Sequence, residues 1–312
     1  MLHIDDRLHS PGNEQDWFEA YWFGFYVPAR NLSVYIYPWF RPNLGTWGGG
    51  VLAWDDRGQT AWTMLHCDYA WGRPFEGEAS MINGEGISTP QGVRIDCLEP
   101  AKRYRIRYER PALGFDIEFE ASGPANQIAA TTAEENIFKG HIDQPGHYSG
   151  QLRVGSDMLD VDCYCVRDRS WGPRRDDFAD MHVGYYHATA SAQDAFLLVT
   201  HFGDEPDRSS LLSGYLIRDG RHAKLTEGRA QLMRNIDHSP ASCLVEATDE
   251  FGRKLVARGV ANNHIALQLQ PGMFNWSSLA EWQFDDVTAY GELQDTWHPD
   301  KYRAFARGQA PK

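Results

Sequence analysis

The chain has 312 residues, 42% of them hydrophobic and 23% charged, which is enough apolar material for packed cores and excludes a disordered tail. Its 43 acidic residues against 30 basic ones leave a formal charge of −13, so most of the surface repels nucleic acid and anionic bilayers. The length fits two domains of roughly 150 residues each. The opening MLHIDDRLHS lacks the basic and apolar regions of a secretory leader. No apolar run approaches the roughly 18 residues of a membrane helix. Cys67, Cys97, Cys163, Cys165 and Cys243 follow no framework spacing and are expected as free thiols, which points to a reducing, cytoplasmic setting.

In chain order, period-two alternation between turn residues predicts strands over 17–26, 32–37, 46–54 and 61–67. Gly48-Gly49-Gly50 is followed by neither Lys-Ser/Thr nor a helix, so it marks a bend or bulge and not a phosphate loop. Next come 93–98 and a hairpin from 103–108 to 115–120, turning through residues 111–114. Residues 122–146, with Gly, Pro and small polar side chains, read as a connector, with a short helix within 129–138. A strand pair over 148–154 and 158–166 then opens the second half. Further strands are predicted at 182–190, 195–201, 213–218, 241–248, 254–260 and 264–269, and a second short helix after Pro299. The expected fold is all-β, with two antiparallel β-barrels or sandwiches in tandem and few short helices, over residues 1–135 and 136–312.

The sharpest local feature is Arg167-Asp-Arg-Ser-Trp-Gly-Pro-Arg174, directly after a predicted strand. Burial of Asp168 beside Trp171 would raise its pKa and let it donate a proton at neutral pH, while Arg167 and Arg169 would hold it ionised. An Asp–Arg pair that ties a strand end under an aromatic lid is the competing reading. The octet closely resembles the Asp-x-Ser-Trp-Gly signature of the carotenoid hydratase/AttH-like proteins. The resemblance continues through LLSGYLIRDG at 211–220 and reaches YGELQDTW at 290–297, which is similar to the closing strand of an uncharacterised bacterial branch. The first half matches only in its aromatic character. The resemblance implies tandem lipocalin-like barrels around a largely apolar cavity. It also implies hydration of isolated alkenes or cyclisation of polyenes without metal or organic cofactor, and it aligns Asp168 with the motif carboxylate.

Other residues offer chemistry of their own. His66 and Asp68 lie two apart on one predicted strand face, near Tyr69 and Trp71, as a base with its orienting acid or as a polar strand face. His182 and His187 fall on opposite faces of one strand, so that one of them faces inward, beside Tyr185, as a proton shuttle or a hydrogen-bonded core histidine. Glu292 and Asp295 sit near Trp297 at a barrel mouth or in solvent. His141 and His147 flank a Pro-Gly pair that would bring them together in a turn, but two ligands make no metal site. His-Glu-x-x-His, Cys-x-x-Cys and Gly-x-Ser-x-Gly are missing, so no metal and no serine nucleophile is expected.

The residues and the resemblance together lead to a cofactor-independent hydratase, isomerase or cyclase acting by acid–base chemistry on a hydrophobic isoprenoid-like or polyketide-like molecule. The alternative is a carrier that only sequesters such a ligand. The catalytic candidates are Asp168, His66 and His187. Trp171, Tyr185, Arg169, Arg174, Trp71 and Asp68 are the substrate-binding candidates. The expected partner is a hydrophobic small molecule, with no nucleic acid and no integral membrane segment, and the sequence fixes no oligomeric state.

Overall fold

Aromatic and β-branched runs separated by short turns favour pleated, half-buried backbone, and the chain forms strands almost throughout. The structure is a computed structural model that describes residues 9–74, 82–83, 86–127, 140–174 and 181–309. It divides into two compact units, Met1–Ala53 with Met64–Arg175, and Trp54–Thr63 with Asp176–Lys312.

The strands of the first sheet are β1 (Trp17–Val27), β2 (Leu32–Arg41), β3 (Thr46–Trp54), β4 (His66–Pro74), β5 (Ile82–Asn83), β6 (Gly86–Ser88), β7 (Arg94–Glu99), β8 (Arg103–Glu109), β9 (Leu113–Ala121), β10 (Asn126–Gln127), β11 (Gly140–Val154) and β12 (Asp157–Pro173). Single 3-10 turns, Pro28–Arg30 and Pro42–Leu44, join β1 to β2 and β2 to β3. Each opens on proline at its fixed φ and closes on a left-handed residue, Asn31 (φ 47°) or Gly45 (φ 59°). The 12-stranded sheet runs β4-β3-β2-β1-β12-β11-β9-β8-β7-β6-β5, with β10 paired to β11. It curls into a half-barrel, so that β4 side chains reach β8. Its concave face is aromatic: Phe23 meets Tyr104 at 5.6 Å and Phe119 at 6.1 Å, and Phe25 meets Phe115 at 5.5 Å.

The second unit contains β13 (His182–Thr189), β14 (Ala195–Phe202), β15 (Arg208–Arg218), β16 (Arg221–Arg234), β17 (Pro240–Asp249), β18 (Lys254–Ala261), β19 (Ile265–Gln270), β20 (Met273–Phe284), β21 (Val287–Trp297) and α1 (Pro299–Ala306). Pairing of β18 with β20 closes an eight-stranded barrel and leaves β19 outside it, hydrogen-bonded to β20. Its interior is a packed apolar core rather than a hollow, where Phe196 lies edge-on to Trp282 at 5.2 Å and to Phe284 at 5.1 Å, among Tyr186, Leu198 and Leu293. Proline at the first turn starts α1, as expected after Pro299, and Phe305 stacks on Trp297 at 4.9 Å. Among the described residues no helix is long and apolar enough to cross a membrane.

Several expectations need correction. The pair β11–β12 does not open the second unit: β11 pairs with β9 and β12 with β1, so this ladder completes the first sheet and the first unit ends at residue 175, not 135. Pro145-Gly146 is not a turn but lies inside β11, where Gly146 gives room to the Phe119 ring. His141 and His147 are therefore six residues apart on one strand, roughly 20 Å at the usual rise. Residues 61–65 form a turn closed by Thr60 and Thr63, and the strand starts only at His66. The helix expected within 129–138 lies outside the described residues.

Candidate active site

The β11–β12 ladder sets Asp143 opposite Asp168 and His141 opposite Ser170, and β12 continues against β1 with Asp168 opposite Trp22. Directly paired residues point to the same face, so His141, Asp143, Asp168, Ser170 and Trp22 share one side of the sheet. His141 is held at both nitrogens, Nδ1 to Ser170 Oγ at 2.7 Å and Nε2 to Asp143 Oδ1 at 3.0 Å. Donor atoms of His141, Asp143 and Asp168 lie within 4.8 Å of one another. Burial alone would depress the His141 pKa, and Arg174 pushes it the same way. Asp143, by charge and hydrogen bond, and the charge of Asp168 outweigh both, so His141 titrates above its usual value. The result is a buried histidine of raised pKa set close to two aspartates.

Aromatic rings extend this face. Trp22 meets Tyr35 at 4.1 Å and Tyr37 at 5.3 Å, both edge-on, and Phe18 stacks with Trp39 at 6.1 Å. Arg174 lies over Phe18 at 4.7 Å, where Arg41 Nη1 donates to the Arg174 carbonyl at 3.2 Å. Burial beside Tyr37 keeps the Tyr69 phenol protonated far above its ordinary range. An acid–base set thus borders rings whose faces stabilise positive charge. The same three donors could approach a cation, but both nitrogens of His141 are already engaged in hydrogen bonds.

Arg169 and Trp171 do not accompany Asp168. The strand runs on through Pro173, so odd residues of the octet turn to the other face. There Arg169, fully buried, pairs with Glu19 and lies over the Tyr21 ring at 4.1 Å, while His9 stacks on Trp171 at 4.4 Å. Arg167 lies over Tyr104 at 4.3 Å and donates from Nε to Gln144 Oε1 at 2.9 Å. These groups brace the sheet. Of the octet, the structure brings together Asp168, Ser170 and Arg174.

His66 and Asp68 do share a face, and Tyr108 joins them. Its hydroxyl accepts from His66 Nε2 at 2.7 Å and donates to Asp68 Oδ2 at 2.8 Å, with Arg110 Nε 3.3 Å from the same oxygen. Burial and the Arg110 charge lower the His66 pKa against the pull of Asp68. Trp71, at the edge strand β4, is half exposed. In the second unit His182 and His187 face opposite ways, as expected. His182 stacks between Phe202 and Trp297 and donates to Asp295 at 2.8 Å; burial lowers its pKa to about 4 despite that partner. His187 lies 5.5 Å from the Tyr185 ring and 3.7 Å from Glu292, all on the other face.

The sequence reading missed the buried His141–Asp143 pair beside Asp168 and Tyr108 as the bridge between His66 and Asp68. The signal for the first two was His-x-Asp on an alternating strand, hidden by the supposed Pro-Gly turn.

The family described as Domain of unknown function (DUF7064) matches residues 3–299. The chain belongs to the DUF7064 family. No curated protein matches it. Among solved structures, this DUF7064 protein is similar to an AttH-like protein from Nitrosomonas europaea, with TM-score 0.61 and 13% identity over 90% of this chain and 91% of that one. It is also similar to kievitone hydratase from Nectria haematococca, with TM-score 0.57 and 10% identity over 93% and 91%. A third similar structure is CghA, with TM-score 0.54 and 9% identity over 95% and 94%. These are carotenoid hydratase-like lipocalin proteins, and the DUF7064 chain shares their tandem lipocalin-like all-β fold.

Proposed function

We propose that the chain is an acid–base enzyme that protonates a carbon–carbon double bond of an apolar isoprenoid-like or polyketide-like molecule, leading to hydration, isomerisation or cyclisation without metal or organic cofactor. The observation that carries this reading is the buried His141, bonded to Asp143 and close to Asp168, on the face that also carries Trp22. Asp168 in its protonated form delivers the proton, and His141, held by Asp143 and Ser170 close to Asp168, takes part in restoring it between turnovers. The π pair of the alkene forms the new C–H bond, and the rings of Trp22, Tyr35 and Tyr37 stabilise the resulting cation without attacking it. Attack by water returns one proton to the Asp168–His141 pair and completes hydration. Loss of a neighbouring C–H proton to the same pair gives the isomer instead, and attack by a second double bond closes a ring. Arg174 anchors a polar end of the substrate.

Apolar compounds that co-purify with the protein are identified by mass spectrometry and incubated with it in D2O. Deuterium enters carbon in the presence of the native protein, and Asp168→Asn and His141→Phe abolish that exchange while keeping the fold. Exchange that survives both substitutions refutes the assignment. A ligand that binds and is never transformed identifies a carrier.

A further inference from the structure

We infer that Ser170, His141 and Asp143 form a nucleophilic triad that gives the chain a second activity, the hydrolysis of carboxylic esters of apolar molecules. The sequence contains no Gly-x-Ser-x-Gly, but such a triad is recognised by the roles and spacing of its groups rather than by a local motif. All three residues belong to the single β11–β12 ladder of the first unit. There His141 lies opposite Ser170, and Asp143 is two residues along the same face. Ser170 Oγ is 2.7 Å from His141 Nδ1, and Nε2 of the same ring is 3.0 Å from Asp143 Oδ1. With the ring proton on Nε2, Asp143 accepts from it and Nδ1 is left to accept from the serine hydroxyl. Asp143 is fully buried, whereas Ser170 and His141 keep 4% and 7% of their surface exposed. The carboxylate is sealed in, and the two groups that would meet an ester both touch accessible space.

The neighbours of Ser170 on this face are small. Across the ladder to β1 it meets Ala20, and Gly172 follows it on β12. Phe18 and Trp22 stand to either side of Ala20, and Trp39 lies beyond it on β2, so rings border the hydroxyl on the side away from His141. Burial works against proton uptake by His141, but Asp143 and Asp168 outweigh it and make the imidazole a stronger base. Arg174 is near enough for its charge to act on the same ring, and it supplies positive charge for an oxyanion. In the reaction Ser170 Oγ bonds to the ester carbonyl carbon, its proton passes to His141 Nδ1, and the carbonyl π pair moves to oxygen. Return of that pair breaks the bond to the alcohol oxygen, which leaves with the proton from Nδ1, and Ser170 carries the acyl group. Water then repeats the two steps through His141 and releases the free acid and Ser170. Asp143 acts through the imidazole as a positioning residue. This chemistry shares His141 and Asp143 with the proposed function but needs neither an alkene nor proton delivery by Asp168.

The test treats the full native chain with methyl and octyl fluorophosphonates, which bond phosphorus to an activated serine oxygen and release fluoride, and maps the adduct by peptide mass spectrometry. The adduct is expected on Ser170 and absent from heat-denatured protein. It forms at least about 10-fold faster with the octyl reagent, whose chain meets the rings. With 4-nitrophenyl octanoate the native protein gives a burst of nitrophenolate, and Ser170→Ala abolishes it. Asp143→Asn slows acylation at saturating ester at least about 100-fold, while the half-saturating ester concentration stays within about twofold. Labelling of a different residue, equal labelling of native and denatured protein, or no labelling by either reagent overturns the inference. The adduct is mapped on the native chain, so this decision stands even where a variant fails to fold. An adduct on Ser170 without deuterium entering carbon removes the alkene chemistry alone, and the reverse pattern removes the ester chemistry alone.

Discussion

Asp143→Asn keeps the shape of the side chain and removes the charge that faces His141. In the native protein the imidazole Nε2 lies 3.0 Å from Asp143 Oδ1, and Asp143 contributes more than Asp168 to holding His141 protonated. Because His141 titrates above its unfolded value, its contribution to stability is complete below about pH 6.5 and disappears as the pH rises through the folded pKa. Breaking a buried pair by removing one partner costs about 3–5 kcal/mol. The charge-assisted hydrogen bond by itself accounts for about 1.5–3 kcal/mol. A loss near 3 kcal/mol at pH 6, at roughly 2–4 °C per kcal/mol, lowers Tm by about 6–12 °C. Thermal melts of native and Asp143→Asn protein between pH 5 and 9, with histidine NMR to follow His141, measure this. The gap in Tm is widest on the acid side and narrows as the pH rises. A gap that is flat in pH or widens toward alkali, or a native His141 that is neutral at pH 6, refutes the raised His141 pKa and with it the part of His141 in the proposed proton transfer.

Glu19→Gln leaves Arg169 buried without its ionic partner and is expected to cost about 3–5 kcal/mol in urea unfolding. Tyr108→Phe removes the hydroxyl that joins His66 to Asp68; the loss is about 0.5–1.5 kcal/mol, read from the denaturation midpoint. Gly140→Ala drives a methyl group into the Trp171 ring, and the overpacking costs about 1–3 kcal/mol by the same measurement. His182, with its pKa lowered to about 4, stays neutral at pH 6 in an NMR titration. Its unfolded form takes up a proton first, so this residue withdraws stability as the pH falls from about 6.5 toward 4, by about 3 kcal/mol in all.

The legible parts of the chain are those where one face is wet. In the β8–β9 hairpin buried Tyr104, Ile106 and Tyr108 alternate with partly exposed arginines, and the alternation is plain in the sequence. β16 went unread because a register shift between Leu225 and Glu227 breaks its period, so Ala223 and Leu225 fall out of step with Ala230 and Leu232. β20 was missed because Asn275 and Ser277 are buried polar groups that look like loop residues in isolation. At the site, Asp168 was visible as a motif. Its surroundings were not, because Pro145-Gly146 reads as a turn although it lies inside β11, and because the motif alone does not show that β12 alternates Arg169 and Trp171 to the opposite face. His141 could be found only through register, which sets it opposite Ser170 on the adjacent strand.

β12 presents Asp168 and Ser170 on one surface and the buried cations Arg167 and Arg169 on the other, with consecutive residues facing opposite ways. Loss or gain of a single amino acid between Tyr164 and Arg167 would exchange the two sets, turning guanidinium groups toward Trp22 and Asp168 toward the phenylalanines of the concave side. Change in length there is therefore tolerated only in steps of two, and descendants of this chain can vary the side chains of the segment far more freely than its number of residues.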